Sequence, residues 1–485
     1  MLGGRRDLPG RKGLTACDGG LALKFGFGKT LRNVFTVGGL TAFSRVLGLV
    51  REMLQSRLIG AGVEQSAFTL AFALPNMARK LFGEGALTAA FVPVFKGEVA
   101  AGEVESARRL ARAVMTLVLL ILGAVVVLTV LGLTVALGLS AADVVSLSPR
   151  AVLTLKLVRI LFPYMIFICG AAFGMGVLNA LGRFVEGAFM PAFLNVVWIA
   201  ALGALCFCPG LSLAARVTVV CWAILAGGAA QMAFLFRCMR KRGYGFRLAP
   251  LSAFRDAKFR LVWKNTLIGA LGAGAIQANY LLDQVLGQLA APWAAGVIGY
   301  AERLMDLPLG VVGVAFGTVL LPTFAGHFAK GDEAGARRAL KRAVLQMTAV
   351  MLPASVVTFF GAPLIVRLVY EGHAFDATAT VRVARALSVY GLGLCFFSIQ
   401  KCLIPFFQAQ KDMKTPLGVT VRTVCLNAAL NVLAIVLLPP DWRHVGLAAS
   451  TSFCALVGCA LLVRALPRTC HPSSKCGRIR TLSTK

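Results

Sequence analysis

The 485-residue sequence has few charged residues, and acids are especially scarce among them. Only 14% of the residues are charged, with 20 acids against 50 basic residues, while 58% are hydrophobic. A soluble domain of this size could not cover its surface with so few charges. The histidines, which are His327, His373, His444 and His471, are scattered along the chain, and this disfavours a histidine-centred membrane enzyme.

Apolar runs of about twenty residues recur along nearly the whole chain, and each is long enough to cross a bilayer as a helix. A β-barrel would show alternating ten-residue segments instead. The sequence therefore predicts an all-α polytopic membrane protein with about twelve transmembrane helices. The predicted spans are 34–58, 66–95, 110–138, 153–182, 187–208, 213–237, 264–289, 294–325, 340–366, 380–409, 417–438 and 444–466.

A basic stretch divides these spans into two sets of six. We predict five regions: a basic cytoplasmic N-terminal extension, a first lobe, a basic cytoplasmic linker, a second lobe and a basic cytoplasmic tail. Their respective ranges are 1–30, 31–239, 240–263, 264–466 and 467–485.

Two similar segments support the division into lobes. VPVFKGEVAAGEVESARRLARAV, from Val92, resembles LPTFAGHFAKGDEAGARRALKRAV, from Leu321. Because an even number of spans separates the copies, the two lobes should be related by a pseudo-twofold axis along the membrane normal. This symmetry predicts a central cavity between the lobes.

The basic residues concentrate in loops on one side of the predicted membrane, whereas the opposite loops near Asp143 and Asp441 carry few. Loops rich in Lys and Arg stay in the cytoplasm, so both termini are predicted to be cytoplasmic. The basic residues form no single domain with exposed aromatic residues, which disfavours nucleic acid as a partner.

Five cations lie inside segments that are otherwise apolar: Arg45, Arg51, Arg79, Lys80 and Arg303. A cation at the centre of a membrane helix costs about 2.5–3.5 kcal/mol on the insertion scale. These side chains should therefore face a water-filled cavity that receives an anion.

Acids accompany the cations of the first lobe. Arg45 and Glu52 share one face of the first span, whereas Arg57 is expected at the membrane surface. Lys80 and Glu84 are one helical turn apart, so an ion pair between them is an alternative to substrate binding by Lys80.

Helix breakers also stand beside the cations, and broken helices line transport sites. In the second lobe, Arg303 lies between Glu302 and Asp306, so it either binds an anion or only neutralises these acids. The predicted hinges or helix breaks are Pro75, Gly83, Gly85, Pro308 and Gly310.

A second group in the second lobe has the oxygen ligands that hard cations prefer. Asp283, Asn427, Asn431 and Thr451 together predict a monovalent cation site, with Na⁺ as a coupling ion. The alternative is that Asp283 is a hydrogen-bonded structural acid.

Three long motifs resemble the signature segments of one family. SRVLGLVRE at Ser44, LPNMARKLFGEGALTAAFVPVF at Leu74 and YAERLMDLPLGVVGVAFGTVLLP at Tyr300 are similar to those of the MurJ (MviN) family. Its members are lipid II flippases of the multidrug/oligosaccharidyl-lipid/polysaccharide exporter superfamily. The resemblance extends from about residue 30 to 466.

The resemblance implies an inner-membrane flippase that moves the undecaprenyl-diphosphate-linked peptidoglycan precursor, with membrane lipids and cell-wall synthesis proteins as further partners. It implies no catalytic residue. It also implies a functional role for the positions Arg45, Arg51, Arg79, Arg303 and Glu84.

The sequence departs from the family at three places. Ser66 stands where many members have Asp, and Ala73 stands where some have Lys. Members commonly continue with two further helices that hold the lipid tail, whereas a short basic tail follows Leu466 here.

Three other classes of protein are alternatives to a lipid II flippase. A related exporter of drugs or of another lipid-linked oligosaccharide is nearest, although an arginine cluster suits an anion better than a cationic drug. A cation channel is disfavoured by the same positive charge, and a non-transporting membrane scaffold is the third alternative.

Cys470, His471 and Cys476 in the tail match no common zinc spacing.

Overall fold

The computed structural model describes residues 19–83 and 85–466. These residues form α-helices without strands, as predicted, plus a π-helix at Arg79–Gly83 and a 3₁₀-helix at Leu251–Arg255. The α-helices are α1 (Gly19–Ile59), α2 (Val63–Ala78), α3 (Ala86–Ala100), α4 (Val104–Ala141), α5 (Pro149–Leu161), α6 (Tyr164–Ala180), α7 (Phe184–Cys206), α8 (Leu213–Lys241), α9 (Ala257–Ala290), α10 (Ala294–Ala329), α11 (Glu333–Tyr370), α12 (Ala377–Ala409), α13 (Lys414–Leu437) and α14 (Pro440–Ala465).

Each predicted span has a helical counterpart, with α2 and α3 sharing one span and α5 and α6 another. Among the described residues, eight segments are long and apolar enough to cross a membrane: α4, α5 with α6, α7, α8, α11, α12, α13 and α14. The other four counterparts are α1, α2 with α3, α9 and α10, which contain the charged residues singled out in the first span, the second span and the start of the second lobe. The total of twelve spans stays a prediction.

The second span is interrupted between Ala78 and Ala86, where the sequence predicts a break. Pro75 lies inside α2 and has no N–H to donate to the carbonyl of Ala71. The wider π-helical turn follows, and α3 then begins after Gly85. A Cβ atom at Gly85 would lie 2.4 Å from the Lys80 carbonyl oxygen, so only glycine allows this close backbone approach.

The predicted break at Pro308 and Gly310 is wrong, because α10 continues through both residues. A proline removes a single helical hydrogen bond, here the one to the Leu304 carbonyl, and neighbouring helices can support the rest of the helix. A break that the sequence reasoning missed occurs instead at Phe162 and Pro163, between α5 and α6.

Two boundaries also differ from the prediction. Helix α1 begins at Gly19, inside the predicted extension, and its 41 residues include no proline that would interrupt it. Helix α9 begins at Ala257, inside the predicted linker, and Phe259 and Val262 are buried in the core of the first lobe.

Each lobe has its own apolar core. In the first lobe, Phe91 packs on Phe95 and on Phe173, with ring centroids 5.1 Å and 4.8 Å apart. In the second lobe, Phe406 packs edge-on against Phe324 at 5.4 Å. These aromatic contacts each remain within one lobe, whereas the start of α9 packs into the core of the first lobe.

The lobes touch at the ends that are predicted to face away from the cytoplasm. The Ala374 N–H donates to the Arg57 carbonyl at 3.0 Å, and the Ser56 hydroxyl donates to the Tyr370 carbonyl at 3.1 Å. The Tyr300 hydroxyl donates to the Gly60 carbonyl at 3.2 Å. These bonds close the space between the lobes at the end that is predicted to be the outer one.

We predict that Gly60→Ala weakens this outer contact. Gly60 has a φ of +79°, and a Cβ atom there would lie 2.2 Å from the Ala374 carbonyl oxygen. Gly102→Ala is the matched control, because Gly102 has a φ of +80° with nothing within 4 Å. Gly60→Ala should cost about 1–3 kcal/mol more than the control, measured by thermal unfolding of the purified protein. Equal shifts for the two variants would contradict the close contact.

Candidate functional site

A cavity of about 460 Å³ lies between the lobes. Its walls come from α1, α2, the π-helix, α6, α7 and α8 of the first lobe, and from α9 and α10 of the second. The interruption of the second span places Arg79 and Lys80 on this wall, and the break before α6 places Tyr164 there. The predicted central cavity is therefore present in the described part of the chain.

A carboxylate shared by two arginines joins the lobes across the cavity. Glu52 of α1 pairs with its neighbour Arg51, and the Arg303 Nε atom of α10 lies 3.6 Å from Glu52 Oε1. The Glu52 side chain is only 13% exposed, whereas that of Arg303 is 47% exposed because it faces the cavity. The three groups together carry one net positive charge.

Arg51 is positioned by α7, which the sequence reasoning did not connect with it. Its Nη1 atom donates to Asn195 Oδ1 at 2.9 Å, and its guanidinium lies 4.2 Å from the Trp198 ring centroid. The Asn195 amide in turn donates to the Ser44 carbonyl at 3.0 Å. Asn195 and Trp198 belong to an apolar helix without a recognisable motif, so only their position in the fold reveals this role.

Arg79 and Lys80 have partners that the sequence did not indicate. Arg79 donates from Nε and Nη2 to Asn76 Oδ1, at 3.1 Å and 3.0 Å. The Lys80 ammonium lies 4.9 Å from the Tyr280 ring centroid, a cation–π contact that crosses to the second lobe. Glu84, with its predicted role and its alternative pairing to Lys80, lies outside the described residues.

The cavity wall carries nearly as many acidic as basic side chains, whereas the sequence predicted a mainly positive cavity. Tyr390 donates a 3.4 Å hydrogen bond to Glu302, and Asp306 interacts electrostatically with Lys80, Arg303 and Lys401. The described lining residues comprise four cations, Arg51, Arg79, Lys80 and Arg303, against three acids, Glu52, Glu302 and Asp306.

Two more cations lie beside this cavity, against glycines of α10. A Cβ atom at Gly310 would lie 3.1 Å from Arg45 Nη1, and one at Gly313 would lie 2.9 Å from Lys401 Nζ. Lys401 also donates to the Leu309 carbonyl at 3.3 Å. The sequence reasoning missed Lys401, a single lysine of α12 without a motif around it. Gly310 thus makes room for Arg45 and does not break the helix.

The predicted cation ligands do come together in the second lobe. Asn431 donates to Asp283 Oδ1 at 2.6 Å and to Asn427 Oδ1 at 2.9 Å, and Asn427 donates to the Thr451 hydroxyl at 3.2 Å. The Ser450 hydroxyl bonds Asn431 Oδ1, and the Asn279 amide bonds Asp283 Oδ2 at 3.2 Å. Three helices, α9, α13 and α14, therefore share one buried polar network.

This arrangement can bind an anion between two lobes, since guanidinium groups donate paired, directional hydrogen bonds to phosphate. The described residues include no cluster of three or more His, Cys, Asp or Glu side chains that could hold a metal.

A two-lobed helical bundle around a cavity of ion-paired cations defines a polytopic membrane transporter. The profile of the lipid II flippase MurJ family matches residues 55–481, and the chain belongs to this family.

Curated relatives agree with this assignment. A probable lipid II flippase MurJ of Rhizobium tropici is 34% identical over 412 residues, which is 83% of this chain and 75% of the relative. A lipid II flippase MurJ of Burkholderia cenocepacia is 30% identical over 436 residues, which is 89% of this chain and 82% of the relative. Membership of this family makes the chain a multi-pass protein of the bacterial inner membrane.

Solved structures show the same fold. A structure described as lipid II flippase MurJ in an inward closed conformation superposes with a TM-score of 0.73 at 24% identity, covering 88% of this chain and 86% of the other. An inward-facing multidrug resistance MATE transporter of the MOP superfamily gives 0.69 at 14% identity, with coverages of 90% and 100%. The fold expected from the sequence resemblance is therefore confirmed.

We predict that Asn195→Ala destabilises the protein and frees Arg51. A charged donor that loses its buried partner typically costs about 1–3 kcal/mol, which thermal unfolding can detect. Modification of Arg51 by an arginine-specific reagent, followed by mass spectrometry, should become faster. Asn179→Ala is the control, because no described residue hydrogen-bonds to the Asn179 side chain. Unchanged stability and unchanged labelling would show that Asn195 does not hold Arg51.

Proposed function

We propose that this chain moves lipid II from the cytoplasmic to the outer leaflet of the inner membrane, and that its arginines bind the diphosphate of the headgroup. Family membership supports the substrate. The observation that supports the binding site is the Glu52 carboxylate shared by Arg51 and Arg303, since it places two guanidinium groups from opposite lobes around one acceptor.

A diphosphate entering the cavity competes with Glu52 for these two guanidinium groups. Phosphate oxygens accept several charge-assisted hydrogen bonds, so they can replace the single carboxylate. When the diphosphate displaces the Glu52 carboxylate from Arg303, the ion pair between α1 and α10 is lost. Substrate binding would thereby loosen one contact between the lobes and allow them to rock about the site.

Arg45 and Lys401 extend the positive charge away from the closed outer end. In the antiparallel pair α1 and α10, Arg45 lies opposite Gly310 and Glu52 lies opposite Arg303, so Arg45 is nearer the cytoplasm. An anion arriving from the cytoplasm would meet Arg45 and Lys401 before Arg51 and Arg303.

The membrane potential provides a direction. An inside-negative potential favours outward movement of an anion by about 2.3 kcal/mol per charge per 100 mV. After release, the cationic cavity would be drawn inward by the same potential. The cycle has no covalent step, so we infer a transporter without catalytic residues, with both termini in the cytoplasm.

We also infer a sodium site at Asp283. The side chains of Asp283, Asn427, Asn431, Thr451 and Ser450 supply several oxygens within one network, which fits a hard monovalent cation. The Asn431 amide now directs its nitrogen at Asp283, so cation binding requires this amide to rotate. That rotation would couple the ion to the packing of α9, α13 and α14.

Complementation tests the binding site. In cells depleted of their own flippase, Arg45→Ala, Arg303→Ala and Lys401→Ala should each lower lipid II flipping about tenfold or more, since a charged hydrogen bond contributes about 1.5–3 kcal/mol. The readout is the fraction of precursor on the cytoplasmic leaflet at matched protein levels. Arg57→Ala, an exposed change at the outer end of the same helix, should rescue fully. Full rescue by both Arg45→Ala and Arg303→Ala would reject the site.

Proteoliposomes test the sodium site. Flipping by the unaltered protein should be faster in Na⁺ than in choline, and Asp283→Asn should abolish that difference by removing the charged ligand. Asn279→Ala is the control, because Asn279 bonds Asp283 but lies outside the proposed ligand set. Persistence of the full sodium dependence in Asp283→Asn would leave Asp283 as a structural acid.

A further inference from the structure

Two arginines at the outer end of the second lobe are stacked on tryptophans. Arg382 and Arg385 lie near the start of α12, and their guanidinium carbons are 3.9 Å and 4.7 Å from the ring centroids of Trp293 and Trp442. Trp293 precedes the first residue of α10, and Trp442 lies in the first turn of α14. In the proposed orientation, these three helix starts all lie at the outer membrane surface.

The surrounding contacts hold this cluster in place. Buried His444 donates from Nε2 to the Arg382 carbonyl at 3.1 Å, and its ring meets Trp293 edge-on at 4.9 Å. Arg443 donates from Nη1 to the Ala290 carbonyl at 3.3 Å, which ties α14 to the end of α9. The first arginine–tryptophan pair is therefore fixed before any ligand arrives.

The stacking leaves hydrogen-bond donors for a ligand. A guanidinium that lies over an indole uses its face, and its N–H groups remain in the plane. Among the described residues, no side chain or carbonyl accepts a hydrogen bond from the Arg382 or Arg385 guanidinium. Asp441 belongs to the same cluster but forms no ion pair with either arginine in the described chain.

The spacing and the position both favour a lipid phosphate. Residues three apart on a helix share a face, about 5–6 Å between their Cβ atoms, so both guanidinium groups can reach one phosphate. Tryptophan side chains prefer the membrane interface, where phospholipid phosphates lie, and Trp442 is 47% exposed. The distribution of basic residues among the loops does not reveal Arg382 and Arg385, because both lie inside α12.

We propose that Arg382 and Arg385 bind the phosphate of an anionic phospholipid of the outer leaflet, at a site separate from the transport cavity. The site depends on the proposed orientation and not on the identity of the transported substrate. A bound headgroup would hold the outer ends of α12 and α14 together, because Arg385 of α12 stacks on Trp442 of α14.

Native mass spectrometry of the full-length protein tests the site. The protein is released from nanodiscs that contain equal amounts of phosphatidylglycerol and phosphatidylcholine. The unaltered protein should retain phosphatidylglycerol preferentially, and R382Q/R385Q should lower that retention about tenfold, because two surface cations are lost together. Arg385→Gln alone changes an exposed residue and should give a partial loss, which keeps the test valid if the double variant misfolds.

Arg367→Gln is the matched control. Arg367 lies at the same outer end, is 72% exposed and is paired with Glu371 at 3.6 Å, so its loss should leave retention unchanged. The proposal is overturned by equal retention of both lipids, by undiminished retention in both Arg385→Gln and R382Q/R385Q, or by an equal loss in Arg367→Gln. Since flipping is not measured, failure of the transport proposal would not affect the result.

Discussion

The Glu52 carboxylate, held between Arg51 of its own helix and Arg303 of the other lobe, is the interaction on which the site depends. Three charges inside a membrane are tolerable only when they neutralise one another and face water or polar groups. Glu52 compensates half of the charge that the two arginines bring. It also makes the contact between the two arginines dependent on the relative position of the lobes, because Arg51 and Arg303 belong to different lobes.

The remaining features of the cavity support that interaction. Asn195 and Trp198 fix Arg51 from α7, while the π-helical turn after Pro75 brings Arg79 and Lys80 to the same wall. Glycines of α10 leave room for Arg45 and Lys401. The cations are thus held by different helices, and a movement of one lobe changes the distances between them.

The sequence predicted the helices well because hydrophobic runs of span length have few alternatives in a bilayer. Every predicted span has a helical counterpart, although α1 begins well before the predicted start of the first span. Prolines were harder to interpret: Pro75 precedes an interruption, Pro308 does not, and Pro163 breaks a span that was expected to be continuous. A proline removes one hydrogen bond in each case, and whether the helix then breaks depends on the neighbours that pack against it.

The candidate site was predicted only in part. The sequence alone determined the class of protein, the two lobes and the cations that need a cavity, because the energetic penalty of a buried charge applies wherever the residue lies along a span. Tertiary structure decided which charges meet. Glu52 with Arg303, Lys80 with Tyr280, Arg45 with Gly310 and Asp283 with Asn431 are each far apart in the chain. Their contacts follow from the packing of one helix on another, which hydropathy and local spacing do not encode.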